Sequence, residues 1–221
     1  MLSIKRTPWA RILPFWICLP LALTTARGAG ASTNSVVLLN GKDLAGWAIV
    51  DFGGHGEVSV EDHNLVIGMG ASLSGVALTN KALLPSGEYE VSLEAKKVDG
   101  SDFFCGLTFP VEKSSCTLIV GGWGGGLVGL SSIQDLDASE NNTAKSMGFK
   151  KGQWYRIRLQ VAKKFIRCWI DDEQIIDADI EDKKISLRPG EIYKCEPFGL
   201  ATYETTAAIR NLVWRPITPK P

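Results

Sequence analysis

The residues best placed to do chemistry in this chain are three proton-transfer candidates and three binding candidates. Glu94 stands on the polar side of Glu88-Tyr89-Glu90-Val91-Ser92-Leu93-Glu94-Ala95, where polar and apolar residues alternate strictly. A carboxylate held on a strand can act as a general base, and a solvated strand glutamate has the same pattern. Asp102 follows Gly100 and Ser101; it is a second candidate base, in a context that also suits a plain turn. His55 lies within Gly53-Gly54-His55-Gly56, a loop able to present an imidazole that titrates near neutral pH. Trp123 is embedded in Gly121-Gly122-Trp123-Gly124-Gly125-Gly126. Glycines on both sides leave its ring face open for stacking on a ligand, the alternative being a core tryptophan. Arg156 and Arg158 share a polar strand face with Trp154; a guanidinium there can hold a hydroxyl or an oxyanion, or simply be solvated.

Other chemistries lack support. His63 falls in a turn between two strand segments, and two histidines with scattered carboxylates do not form a zinc-site spacing. The acidic stretch from Asp135 to Glu140 offers oxygens to calcium without the regular spacing of a calcium loop, so no cofactor is expected. The glycine run is followed by no Gly-Lys-Ser/Thr and by no strand-to-helix context, which separates it from phosphate-binding loops. No Gly-x-Ser-x-Gly elbow is present.

The elements that must position these residues are strands. Trp154-Tyr155-Arg156-Ile157-Arg158-Leu159-Gln160-Val161 alternates with period two, its Tyr, Ile, Leu and Val facing inward. Phe165 to Ile170 and Gln174 to Asp177 flank Asp171-Asp172-Glu173 as a hairpin, and Val58 to Val60 and Leu65 to Ile67 flank Glu61-Asp62-His63-Asn64 likewise. Phe103 to Phe109 and Thr117 to Val120 are expected to flank a turn containing Pro110, Ser114 and Ser115, and the last strand to run from Ala208 to Trp214. Gln134 to Ala144 is polar and reads as a loop. No segment sustains three turns of amphipathic helix. Many short strands separated by turn residues predict an all-β sandwich or jelly roll of two antiparallel sheets.

Residues 1–31 have the order of a secretory signal peptide. Basic residues (Lys5, Arg6, Arg11) precede an apolar run from Ile12 to Leu23, and small residues follow, with cleavage fitting after Ala26 or Ala31. The run holds two prolines and is shorter than the roughly 20 residues a membrane span needs. A secreted or periplasmic location is expected, with residues 32–221 forming one β-sandwich domain that keeps no membrane span once the signal is removed. Lys5, Arg6, Arg11 and Arg27 all fall in that segment, which leaves 20 basic against 24 acidic residues and a net charge near −4. Such a body gives no electrostatic reason to bind nucleic acid or an anionic membrane. Four cysteines follow the segment, Cys105, Cys116, Cys168 and Cys195; two disulfides and four packed thiols are equally compatible with their spacing.

Several segments together carry a resemblance. Val37-Leu38-Leu39-Asn40-Gly41-Lys42-Asp43-Leu44-Ala45-Gly46-Trp47 resembles the "L-F-N-G-K-D-L-x-G-W" opening of the keto-disaccharide hydrolase domain family. Val60-Glu61-Asp62-His63-Asn64-Leu65 is similar to its "V-E-D-G-x-L" hairpin, and Tyr89 to Glu94 to its "F-E-L-x-L-E-W" strand. Gly152 to Ile157, Cys168 to Asp172 and Ile209 to Leu212 resemble "G-E-W-N-x-Y-x-I", "W-x-N-G" and "F-R-N-I" in the right order. The chain departs where the family has "N-S-G-I" and an arginine, having Ser101 to Phe109, and where the family has "Y-E-x-Q-I", having Cys116 to Trp123. The resemblance implies a concanavalin-like jelly-roll sandwich acting on a saccharide or oxidised glycoside. It implies a 3-keto-glycoside hydrolase or lyase that removes the C2 proton beside a C3 ketone and expels the C1 substituent, with Glu94 at a family carboxylate position. The alternative is a non-catalytic carbohydrate-binding module using the polar sheet face together with Trp123.

Overall fold

The computed structural model describes residues 35–217, so the signal-peptide segment lies outside the described residues. Fifteen strands build the fold among the described residues. They are β1 (Val36–Val37), β2 (Trp47–Ile49), β3 (Val58–Glu61), β4 (Asn64–Ile67), β5 (Leu73–Leu78), β6 (Tyr89–Gly100), β7 (Cys105–Val111) and β8 (Ser114–Gly121). After a single helical turn at Gly122–Gly125 come β9 (Leu127–Ser131), β10 (Lys145–Ser146), β11 (Trp154–Val161), β12 (Phe165–Ile170), β13 (Glu173–Asp179), β14 (Gly199–Tyr203) and β15 (Thr205–Pro216).

These strands make two antiparallel sheets. The back sheet runs β13-β12-β11-β6-β15-β4-β3, with β1 also paired to β15; the front sheet runs β10-β9-β8-β7-β14-β5-β2. Strand alternation dictates what lies between them. Tyr89, Val91, Leu93 and Ala95 of β6 and Tyr155, Ile157, Leu159 and Val161 of β11 point forward, and meet Leu107 and Phe109 of β7 and Leu118 and Val120 of β8. Period two then puts Glu90, Ser92, Glu94, Arg156 and Arg158 on the far side of the back sheet, and Thr117 and Ile119 on the far side of the front sheet. The expected two-sheet jelly roll is the observed architecture.

Turn positions refine the expected boundaries. Asp171 and Asp172 both have positive φ (49° and 73°), the two-residue hairpin geometry that short polar side chains tolerate. The β7–β8 turn is Glu112-Lys113, not the expected Pro110 and Ser114-Ser115, since Pro110 pairs with Ser115 and Val111 with Ser114 inside the ladder. Proline is accommodated because β14 pairs with β7 only through Thr108, so no neighbour on that side demands the missing N–H. All four cysteines are buried free thiols: Cys105, Cys116 and Cys168 in the main core, and Cys195 in a smaller cluster with Val50, Phe52 and Ile192. Burial pushes the Cys105, Cys116 and Cys195 thiols up to about 12, and Cys168 higher still.

Candidate functional site

The outer face of the front sheet is low and small-residued at its centre. Ser131 of β9 stands opposite Thr117 of β8, which stands opposite Thr108 of β7 and then Gly199 of β14. The next outward row is Gly129, Ile119, Gly106 and Ala201. Over this face opens a cleft of about 320 Å³, within the size range of small-molecule sites.

The glycine run forms one end of the cleft. Gly121 leaves β8 with φ +81°, and the following turn closes through a bond from Gly126 N to Gly122 O at 3.1 Å. Trp123 itself adopts a left-handed conformation (φ 50°) and keeps 43% of its surface exposed at the cleft. Beneath it, the chain crosses from β6 to β7 through Asp102. The Asp102 carboxylate accepts the N–H of Phe103 at 2.8 Å and the N–H of Gly124 at 2.7 Å. Its own N–H donates to Thr205 Oγ1 at 3.1 Å, and that hydroxyl donates back to the Asp102 carbonyl at 3.0 Å. A Cβ on Gly125 would lie 2.8 Å from Ser101 O and 2.9 Å from Lys97 Nζ, so only glycine lets the loop carrying Trp123 sit this close to the crossover carrying Asp102. Lys97 is buried there, and desolvation holds its ammonium below the usual lysine range while the Asp102 charge opposes that shift.

A second polar group comes from β9 and two loops. Asp137 accepts from Ser131 Oγ at 2.5 Å and from Ala138 N at 2.6 Å, and Arg188 Nη1 lies 2.8 Å from its other oxygen. The Arg188 guanidinium is 5.7 Å from the centre of the Trp123 ring, which gathers tryptophan, arginine and two aspartates around one opening. Glu191 also lines the cleft but is paired with Lys194. Among the described residues, no cation lies within 4.0 Å of Asp102, so it is the cleft carboxylate without an ion-pair partner.

Toward β14 and β5 the lining becomes apolar. The Phe103 ring covers Gly106, where an added Cβ would lie 2.9 Å from it, and stacks on Tyr203 with centroids 6.0 Å apart at 29°. Leu73 pairs with Tyr203 across the β5–β14 ladder, and Ile192 closes the side from the short 3-10 turn Glu191–Cys195.

The six sequence candidates do not converge. Asp102 and Trp123 share the front cleft. Glu94, Arg156 and Arg158 line a separate groove of about 280 Å³ on the outer face of the back sheet. The expectation of one polar sheet face shared with Trp123 therefore gives way to two faces separated by the core. The reason is local: Asp102 lies past the end of β6, where the chain has already turned toward the front. His55 lines neither opening; it is exposed, with Nδ1 2.8 Å from Gly56 O, and His63 Nδ1 is 3.1 Å from Gly41 O. In the back groove the charged groups answer one another. Arg210 donates to one Glu94 oxygen at 2.9 and 2.7 Å, and Asn211 to the other at 2.9 Å. Burial pushes the Glu94 carboxyl up, but these bonds outweigh it and hold it below the usual range. Arg156 pairs with Asp172 at 2.7 Å, and Arg158 lies on the Trp169 ring at 3.8 Å.

Residues 34–215 match the model of the 3-keto-alpha-glucoside-1,2-lyase-like domain. The chain belongs to this family. No curated protein matches it. Among solved structures, a carbohydrate-binding module (CBM66) from Bacillus subtilis has 16% identity and a TM-score of 0.51, over 76% of this chain and 93% of that one. A putative glycosyl hydrolase from Parabacteroides distasonis has 12% identity and a TM-score of 0.52, over 84% and 94%. SCLam, a non-specific endo-beta-1,3(4)-glucanase of family GH16, has 10% identity and a TM-score of 0.54, over 86% and 94%. At these identities the likeness is one of fold, shared by glycosidase-like and carbohydrate-binding proteins. The glutamate of the family strand "L-E-W" is, in this chain, the back-sheet Glu94, whereas the segments that depart from the family pattern, Ser101 to Phe109 and Cys116 to Trp123, contribute Asp102, Phe103, Thr117, Ile119 and Trp123 to the front cleft.

Asp137, Arg188, Phe103 and Tyr203 were not singled out from the sequence. Asp137 sat inside a polar stretch weighed only for calcium; here its carboxylate pairs with Arg188 and Asp135 with Lys184. Arg188, just before Pro189-Gly190 in a loop, carried the one local signal that could have drawn attention.

Proposed function

We propose that the protein is an exported enzyme that cleaves 3-keto-glycosides at the front cleft by elimination. The observation carrying this reading is Asp102, an ion-unpaired carboxylate pinned by two backbone N–H groups beside Trp123 and Arg188. A sugar ring stacks on Trp123. Asp102 removes the proton at C2, which the C3 ketone has acidified; the C–H electron pair moves into an enolate whose oxygen Arg188 stabilises. Collapse of the enolate forms the C1–C2 double bond, and the C1–O bond breaks with its electrons on the departing oxygen. That oxygen takes the proton that Asp102 removed from C2, which restores the carboxylate, and the aglycone leaves as an alcohol. Water then adds across the double bond to give the free 3-keto sugar. Cleft carboxylates at Asp137 and Glu191 are ion-paired, which leaves Asp102 as the group for the first step.

The test is release of aglycone from a 3-keto-glycoside by the purified protein. Asp102→Asn, which keeps the shape but not the basicity, is expected to lower kcat by about 10²- to 10⁴-fold, the usual contribution of a general base. Saccharide binding with no turnover by the unaltered protein would replace the lyase reading with that of a binding module.

A further inference from the structure

The strand register across the cleft is not chemically even, and this bears on the leaving group. On the β8–β9 side the outward residues are Thr117 and Ser131, joined by Asp137 and Arg188. Two strands over, on the β14–β5 side, they are Tyr203 and Leu73, joined by Phe103 and Ile192. Ile192 belongs to the small apolar cluster with Val50, Phe52 and Ala201, so this wall is continuous with buried hydrophobic structure. On the neighbouring strand β7 the Thr108 hydroxyl is already engaged, its Oγ1 lying 3.0 Å from Thr117 Oγ1. Tyr203 alone contributes a side-chain hydroxyl among these four residues. A second sugar ring placed here would bury several hydroxyls against carbon with too few partners, which is costly. An aromatic ring has no such demand, and finds Phe103 and Tyr203 already stacked as a platform.

We infer that the substrate is a glycoside with an aromatic aglycone, its keto sugar held by Trp123, Asp102 and Arg188 and its aryl group lying on Phe103, Tyr203, Leu73 and Ile192. This rests on the reading of the front cleft as the glycoside site. The polar groups sit at one end and the apolar wall at the other, so the bond to be cut falls between them, within reach of the loop that carries Asp102.

Two ligands separate an aryl from a sugar preference without a difference in leaving-group chemistry. They are the 3-keto forms of 2-phenylethyl glucoside and of a glucosyl-glucose disaccharide of the same anomeric configuration, both of which depart as aliphatic alcohols. Binding is measured by calorimetry on the full protein carrying Asp102→Asn, so that neither ligand is consumed. The phenylethyl compound is expected to bind at least about tenfold more tightly. That ratio is expected to fall toward one in Ile192→Asn and also in Tyr203→Ser, whose position is half-exposed and makes loss of folding less of a concern. Equal or weaker binding of the phenylethyl compound overturns the inference, as does a preference that survives both substitutions. Aglycone release is followed separately with the unaltered protein. An intact affinity ratio without release from either compound removes the lyase reading and leaves the aryl assignment standing.

Discussion

Glu94 and Asp102 are eight positions apart, and both looked like bases. Their partners separate them. Glu94 is ion-paired with Arg210 and also accepts from Asn211 on the back sheet, whereas Asp102 accepts from neutral backbone N–H groups, and Glu94→Gln is expected to leave turnover of a 3-keto-glycoside within about twofold of the unaltered protein. A loss as deep as that of Asp102→Asn would return the chemistry to the back groove. Glu90 is a stronger case of a structural carboxylate. It is 5% exposed and bonded to Gln160, Arg158 and Arg215 at 2.8, 3.1 and 2.7 Å. Burial alone would raise its carboxyl, but these donors outweigh burial and hold it below its ordinary value of 4.5. A depressed native value means that the stabilisation is complete above the unfolded-state value and drains away as pH falls through the native one. Acid unfolding followed by circular dichroism is therefore expected to be less steep below pH 4.5 in Glu90→Gln, at a cost near neutrality of about 2 kcal/mol for the unpaired guanidiniums. An unchanged acid limb would show that the network does not govern acid stability.

At the scale of elements, the glycine run and the β6–β7 crossover act as one unit. Gly125 is their point of contact, with φ +95° and no room for a methyl group. Gly125→Ala is expected to cost about 1–3 kcal/mol from strain at that backbone angle, seen as a lowered Tm. It is also expected to abolish any tryptophan fluorescence response to saccharide, because Trp123 would be displaced. A normal response would detach the loop from the site. The strands themselves were legible in the sequence because period two is local: Glu88 to Ala95 and Trp154 to Val161 alternate, and they fold as β6 and β11 with the predicted faces. The glycine run was legible as unusual, though its role was not. What it approaches, Ser101 and Lys97, is set by a pairing of segments more than twenty residues apart, which no local pattern encodes. The same limit hid Arg188 and Tyr203, which reach the cleft from loops and strands late in the chain.

For the molecule as a whole, alternation fixed which residues face out but not which sheet they face out from. Glu94, Arg156 and Arg158 face out from strands and Trp123 from the turn after β8, and only the assignment of strands to sheets puts the first three on the back and the last on the front. The cysteines follow the same logic: their spacing allowed two bridges, and the core places all four as buried thiols. Alkylation of the native protein followed by peptide mapping is expected to leave Cys105, Cys116, Cys168 and Cys195 unmodified, and to label all four in denaturant. Native labelling at any of them would contradict the burial described.

Asp102 hangs from the end of β6, and the hydroxyl that braces it, Thr205, begins β15. These are the two longest strands, twelve residues each, and they lie side by side in the middle of the back sheet. The anchorage of Asp102 thus comes from the back sheet, on the other side of the core from the face over which the cleft opens. With Asp102 as the proposed base, substitutions in β6 and β15 are expected to lower turnover without touching the cleft, so that distance from the opening is a poor guide to their harm.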